Sequence, residues 1–139
     1  MLVDSRFECG SNFDGSFWGD VVTAGLSKPF FIVEAKEHNR ISDESWVTFY
    51  QNLRVFRLGV KVSGTVHLTF DDQAYLYGVL REAGLIPDLG NPFGSIGGKW
   101  ILVIESAHLG VFFEYCFEGR KERLLQGPSK GYPAVVFCS

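Results

Sequence analysis

The stretch Gly64-Thr65-Val66-His67-Leu68-Thr69-Phe70-Asp71-Asp72-Gln73-Ala74-Tyr75-Leu76 organises the chain. It follows Leu58, Val60 and Val62, which alternate with Gly59, Lys61 and Ser63 in the two-residue period of a half-exposed strand. That period places the strand at or near a sheet edge. The stretch then runs into Asp71 and Asp72, which open a helix whose apolar face is Tyr75, Leu76, Val79 and Leu80 and which ends near Gly84. His67 is therefore expected at the C-terminal end of a strand. In open α/β sheets that end faces the crevice where ligands bind, which makes His67 the foremost candidate for a catalytic base.

Working outward, Pro29 opens Phe30-Phe31-Ile32-Val33-Glu34-Ala35, an apolar run that suits a parallel strand covered on both faces. Before it, residues 5–10 read as a short first strand and 11–16 as a polar loop. Residues 17–26 read as loop or an irregular turn. After it, Glu37-His38-Asn39-Arg40 reads as a polar loop, with His38 a solvated histidine beside the cleft. Ser42 is a good N-cap for a helix to about Arg54, with Asp43 and Glu44 in its first turn. Trp46, Phe49, Tyr50 and Leu53 give that helix one buried face.

Residues 85–99, with Pro87, Pro92 and four glycines, form a long loop. A third helix over about Lys99–Phe117 ends at Gly119 and turns Leu102, Val103, Ala107, Val111, Phe112 and Tyr115 toward the sheet. His108 within it reads as a surface or interhelical histidine. The tail ends in an extended Ala134-Val135-Val136-Phe137. This order predicts an α/β fold: a three-stranded, mostly parallel sheet with flanking helices, in one domain over residues 1–139. So small a sheet, with so apolar a central strand, calls for neighbours that this reading does not supply.

The 139 residues are 46% apolar and 15% aromatic, which fits a packed body and excludes disorder. With a net charge of −3 and no Lys/Arg run, the chain has no electrostatic footprint for nucleic acid. The apolar segments read as too short for a membrane span. No basic, apolar leader follows Met1, so the sequence assigns no compartment. Cys9, Cys116 and Cys138 have no metal-site spacing and read as free thiols rather than a bridge, and the three histidines propose no metal or other cofactor.

Asp14 follows the first strand as His67 follows the third, so in a parallel sheet both lie at one edge. A carboxylate there can orient an imidazole and stabilise its protonated form. The order Asp then His is that of the last two members of a Ser…Asp…His triad. The plainer alternatives are an Asx-turn aspartate before Gly15 and an ordinary loop histidine.

Gly64-Thr65-Val66-His67-Leu68-Thr69-Phe70-Asp71-Asp72 resembles the histidine segment of the platelet-activating-factor acetylhydrolase group of α/β-hydrolases, Gly-[Ser/Thr]-x-His-x-x-[Phe/Tyr]-x-Asp. Asn12-Phe13-Asp14-Gly15 resembles the group's aspartate segment, and Lys28-Pro29-Phe30-Phe31-Ile32 its next core strand. Ala107–Tyr115 resembles the closing helix, and Leu124–Ser129 with Tyr132-Pro133 the tail of microbial members. The resemblance implies a partial α/β-hydrolase fold and a carboxylic-ester hydrolase acting on short-acyl phospholipids. It makes Asp14 the triad acid, His67 the general base, and Asp71 or Asp72 a structural cap.

The resemblance also implies a serine in a Gly-x-Ser-x-Gly elbow before the aspartate strand. Phe93-Gly94-Ser95-Ile96-Gly97 lacks the first glycine and the preceding strand, and Ser11 lacks the elbow context. The expectation is thus a C-terminal half that keeps acid and base, lacks the nucleophile and is inactive alone. Phe13, Phe17 and Trp18 are candidates for an acyl pocket or for core. The rival readings are an interaction module whose open sheet edge pairs with a missing N-terminal half or with itself, a small enzyme using Asp14 and His67 without a covalent intermediate, and a truncated fragment with no function of its own.

Overall fold

Five consecutive buried residues, Phe30–Glu34, form strand β2 of the computed structural model, which describes residues 4–39, 41–87 and 90–138. Successive strand side chains point to opposite faces. Phe31 and Val33 accordingly join one core with Leu58, Val60, Val62, Ile104 and Phe112. Phe30 and Ile32 join a second core with Trp46, Phe49 and Leu53. The expected coverage of both faces is present.

Strand β1 (Gly10–Phe13) lies parallel to β2, with Gly10 opposite Phe30. Strand β3 (Arg57–Val62) lies parallel on the other side, and β4 (Val135–Cys138) pairs antiparallel with β3. The order β1-β2-β3-β4 gives a mixed, mostly parallel α/β sheet. The helices are α1 (Val21–Ala24), α2 (Glu44–Gln51), α3 (Asp72–Glu82) and α4 (Gly98–Glu118).

Several expectations need correction. The sheet has four strands because the extended tail docks against β3, so β3 is interior and not at an edge. Its alternation reflects Gly59, itself buried, and not exposure to solvent. Strand β1 begins at Gly10 and not at residue 5, because the ladder opens where the Gly10 N–H donates to the Pro29 carbonyl; Arg6 upstream bonds locally to Asp4. Residues 21–24 form helix α1 within the expected loop.

Asp43, not Ser42, caps α2: its carboxylate accepts from the Ser45 N–H at 2.8 Å, while Ser42 bonds back to Asn39. The helix stops at Gln51, where the Asn52 side chain donates to the Thr48 and Val22 carbonyls. Asp71 caps α3 as expected, but Ala74 is the buried residue there and Tyr75 and Leu76 are exposed.

Helix α4 ends at Gly119, whose φ of 70° is the left-handed geometry of a helix C-terminus. It buries Ile101, Ile104, His108 and Phe112, a stripe rotated from the expected one, and Val103 faces out. His108 is only 2% exposed; its Nδ1 bonds the Ile104 carbonyl and burial pushes its imidazole below its ordinary pKa. Contrary to expectation, α4 is long and apolar enough to cross a membrane by length and composition. Here it covers the sheet.

The three cysteines are free and half-buried, with Cys9 and Cys116 packed in one core. Burial, then the neighbouring Cys9 thiol, pushes the Cys116 thiol well up. Met1–Val3, Arg40 of the polar loop, Asp88 and Leu89 of the Pro/Gly loop, and Ser139 lie outside the described residues.

The Pro/Gly loop pins the histidine loop. The Gly64 carbonyl accepts from the N–H groups of Ser95 at 2.8 Å and Ile96 at 3.1 Å. Gly94 sits at φ 85°, where a Cβ would lie 2.3 Å from the Gly64 oxygen. Gly94→Ala should therefore lower stability in denaturant unfolding by about 2–4 kcal/mol through strain and clash. Gly110→Ala, at a helical site with nothing within 4 Å, should raise it by about 0.5–1 kcal/mol.

Burial, then the charge of Asp72, pushes the Glu105 carboxyl of α4 up to about 7 from 4.5. A raised carboxyl pKa means the folded state holds a proton that the unfolded state has released. Stability is then lost as pH rises from about 4.5 through 7. Because the side chain is partly exposed, Glu105→Gln should remove only on the order of 1–2 kcal/mol of that slope. Unfolding at pH 5 and pH 8 checks it, with variant and parent converging at the lower pH.

Candidate active site

The C-terminal ends of β1, β2 and β3 are sewn together by their loops. Asp14 leaves β1 with its N–H donating to the Val33 carbonyl at 2.9 Å and with φ at 59°. That left-handed backbone is uncommon outside glycine, though Asp and Asn tolerate it better than most. Asn12 holds the turn from below, its side chain accepting from the Gly15 N–H at 2.9 Å and donating to the Gly15 carbonyl. The Trp46 indole donates to the same carbonyl at 2.9 Å, and the Phe17 N–H donates to Ser45 Oγ at 3.1 Å. Helix α2 thus fixes the aspartate loop.

The result is a carboxylate with no exposed side-chain surface. Its Oδ1 accepts from the Ala35 N–H at 2.7 Å. Its Oδ2 lies 3.0 Å from His67 Nδ1.

His67 begins a 3₁₀ turn, His67–Phe70, beyond the end of β3. This differs from the expected place at the strand terminus itself. Gly64, at φ 84°, turns the chain out of the sheet, and Thr65 Oγ1 then donates to the Val62 carbonyl at 2.7 Å. Thr69 Oγ1 accepts from the Val66 N–H at 2.7 Å and donates to the Phe93 carbonyl at 2.6 Å. The Thr65 carbonyl accepts from the Lys36 N–H at 3.3 Å, tying this loop to the one after β2. The two threonines in Gly-Thr-Val-His-Leu-Thr are therefore loop stitches.

A carboxylate only accepts, so the proton in the Asp14–His67 contact sits on Nδ1. In the neutral imidazole this leaves the Nε2 lone pair available, on a ring whose side chain is 67% exposed. The arrangement can take a proton at Nε2 and stabilise the resulting imidazolium through Asp14.

Sequence reasoning placed His38 beside the cleft but read it as a solvated loop histidine. It is largely covered: its side chain is 27% exposed, and its ring lies tilted with its centroid 4.6 Å from that of Trp46. Nδ1 lies 3.0 Å from the Asp14 main-chain oxygen and 3.3 Å from Asp14 Oδ1, and Nε2 lies 2.9 Å from Asp43 Oδ2. Burial alone would lower the His38 pKa. Hydrogen bonding to Asp43, the charge of Asp14 and the Asp14 carbonyl outweigh that and raise it. Burial likewise opposes charge on Asp43, but hydrogen bonds from Ser16, Ser45 and His38 hold its carboxyl well below the usual range. The available signal was position: His38 follows a central strand at the same edge as Asp14, with Asp43 and Trp46 close behind.

Other candidates sit elsewhere. Ser95 lies in the loop that pins Gly64, and Ser11 lies within β1. Phe13 packs edge-on against Phe31 and Phe70, Phe17 stacks on Phe49 at 4.0 Å, and Trp18 is 83% exposed. Among the described residues no group of three or more His, Cys, Asp or Glu side chains could hold a metal ion. A recess of about 770 Å³, lined by Arg123, Lys130 and Tyr132 among others, belongs to the tail.

No protein-family model matches the chain. A probable 1-alkyl-2-acetylglycerophosphocholine esterase of Arthroderma benhamiae is 32% identical over 149 aligned positions, covering 99% of this chain and 38% of that protein. A solved ferulic acid esterase from Streptomyces cinnamoneus matches with a TM-score of 0.78 and 24% identity, covering 98% of this chain and 41% of its own; that likeness is one of fold. The chain spans about two fifths of the length of each. The chain is thus similar in sequence to part of a 1-alkyl-2-acetylglycerophosphocholine esterase and shares its α/β-hydrolase fold with a solved esterase.

Proposed function

We propose that this chain supplies the acid–base part of a carboxylic-ester hydrolase of the platelet-activating-factor acetylhydrolase type. The carrying observation is the 3.0 Å contact between Asp14 Oδ2 and His67 Nδ1 at the C-terminal edge of a parallel sheet. In this reading Asp14 holds His67 in the Nδ1–H tautomer, and Nε2 takes the proton of a serine that attacks the ester carbonyl. His67 then returns the proton to the leaving alcohol, and a water molecule activated in the same way releases the acyl group. The substrate class is a short-acyl ester, including 2-acetyl phospholipids, as the name of the Arthroderma relative suggests. The reading places the nucleophile and its oxyanion donors outside these 139 residues, so the chain alone has a base with nothing to activate.

A second reading rests on β1, which among the described residues pairs on one side only. That edge can accept a further strand, from a separate segment or from a second copy.

The test joins this chain to the part of the Arthroderma relative that lies outside the match. The chimera should hydrolyse p-nitrophenyl acetate, and His67→Ala should reduce turnover by about 10²–10⁴-fold. The chain alone should turn over no faster than its own His67→Ala variant. Turnover in the chimera that ignores His67 contradicts the assignment. His67-dependent turnover by the chain alone contradicts the absence of a nucleophile.

A further inference from the structure

Asp14 lies between two histidines. His67 takes Oδ2, and on the opposite side His38 spans from Asp14 to the N-terminus of α2. Both partners of His38 are pure acceptors: a main-chain carbonyl at 3.0 Å and a carboxylate oxygen at 2.9 Å. A neutral imidazole has one N–H and can serve only one of them. Serving both requires the imidazolium.

The surroundings favour that form. Among the described residues, the charged groups acting on His38 are Asp14 at the end of β1 and Asp43 at the N-cap of α2; the Trp46 ring of α2 covers it. Asp43 is fully engaged as an anion, accepting from Ser16 Oγ at 2.6 Å, from the Ser45 N–H and from His38. A cation between two carboxylates gives charge-assisted hydrogen bonds on both sides, stronger than neutral ones. The bridge ends on Asp14, whose backbone is held in the left-handed region.

We propose that His38 is a positioning residue: as an imidazolium it ties Asp43 to the Asp14 main chain and so holds the Asp14 carboxylate in line with His67. The inference rests on the reading of Asp14 and His67 as the acid–base pair. It adds a pH limit. Because the folded pKa of His38 is raised, the bridge is complete below the ordinary histidine range and is lost as pH rises through the raised value. Above that point one of the two bonds has no proton, Asp14 loses its outer anchor, and the Asp14–His67 contact loosens.

The experiment is ¹⁵N and ¹H NMR of the 139-residue chain labelled at histidine, from pH 5 to 9, following the ring nitrogens of His38 and the exchange rate of the His67 Nδ1–H proton. The expected result is that both His38 nitrogens carry protons at pH 7. His67 Nδ1–H should exchange at least ~10-fold faster once His38 titrates, and His38→Gln should show the fast rate at every pH. Asp43→Asn keeps a good N-cap and removes only the charge, so it serves if His38→Gln does not fold. It should bring His38 to the neutral form near pH 7 with the same rise in exchange. A neutral His38 at pH 7 in the parent overturns the proposal. So does an unchanged His67 exchange rate in the folded variants while Asp14→Asn abolishes the signal. If Asp14→Asn also leaves the signal unchanged, the acid–base pair itself is wrong and the bridge falls with it.

Discussion

A buried carboxylate in a left-handed turn is the constraint on which the rest of the site depends. Asp14 has no exposed side-chain surface, and an ionised carboxylate placed there without hydrogen bonds would cost several kcal/mol. The chain meets that cost with an N–H from the loop after β2 and a ring N–H from the loop after β3. Each donor belongs to a different strand's loop. The pair therefore exists only when β1, β2 and β3 are in register, and the fold and the site are one problem.

The same logic explains how residues are spent around it. Thr65 and Thr69 stitch the His67 loop onto β3 and the Phe93 carbonyl. Gly64 and Gly94 approach too closely for a side chain on Gly94. Asn12, Trp46 and Ser45 fix the turn that contains Asp14 and Gly15. Helix α2 therefore does more than cover the sheet with Trp46 and Phe49: its first turn is the wall against which the aspartate loop is set. Preorganised groups of this kind hold reacting atoms in place at no cost during the reaction itself.

Much of this was legible in the sequence. The uninterrupted apolar run Phe30–Val33 announced a strand buried on both faces, and Gly119 announced the end of α4. Asp14 and His67 stood out because residue type, strand context and chain order coincided. What failed to show were features set by long-range pairing. The tail's pairing with β3 moved that strand inside the sheet, and a two-residue alternation cannot tell a glycine in an interior strand from an exposed position. The face of α4 was misjudged because the helix is apolar almost all round, so periodicity gave little direction. His38 looked like a loop histidine because the Asp14 carbonyl that it meets lies 24 residues away and is brought to it only by the fold.

The measurement closest to the central claim is the tautomer of the neutral His67 ring, read from its two ¹⁵N shifts in the parent chain and in Asp14→Asn. An amide at position 14 keeps an oxygen for the Ala35 N–H but presents an N–H to His67. The account predicts an Nδ1–H ring in the parent and an Nε2–H ring in the variant. A parent ring protonated at Nε2, or the same tautomer in both proteins, would contradict it.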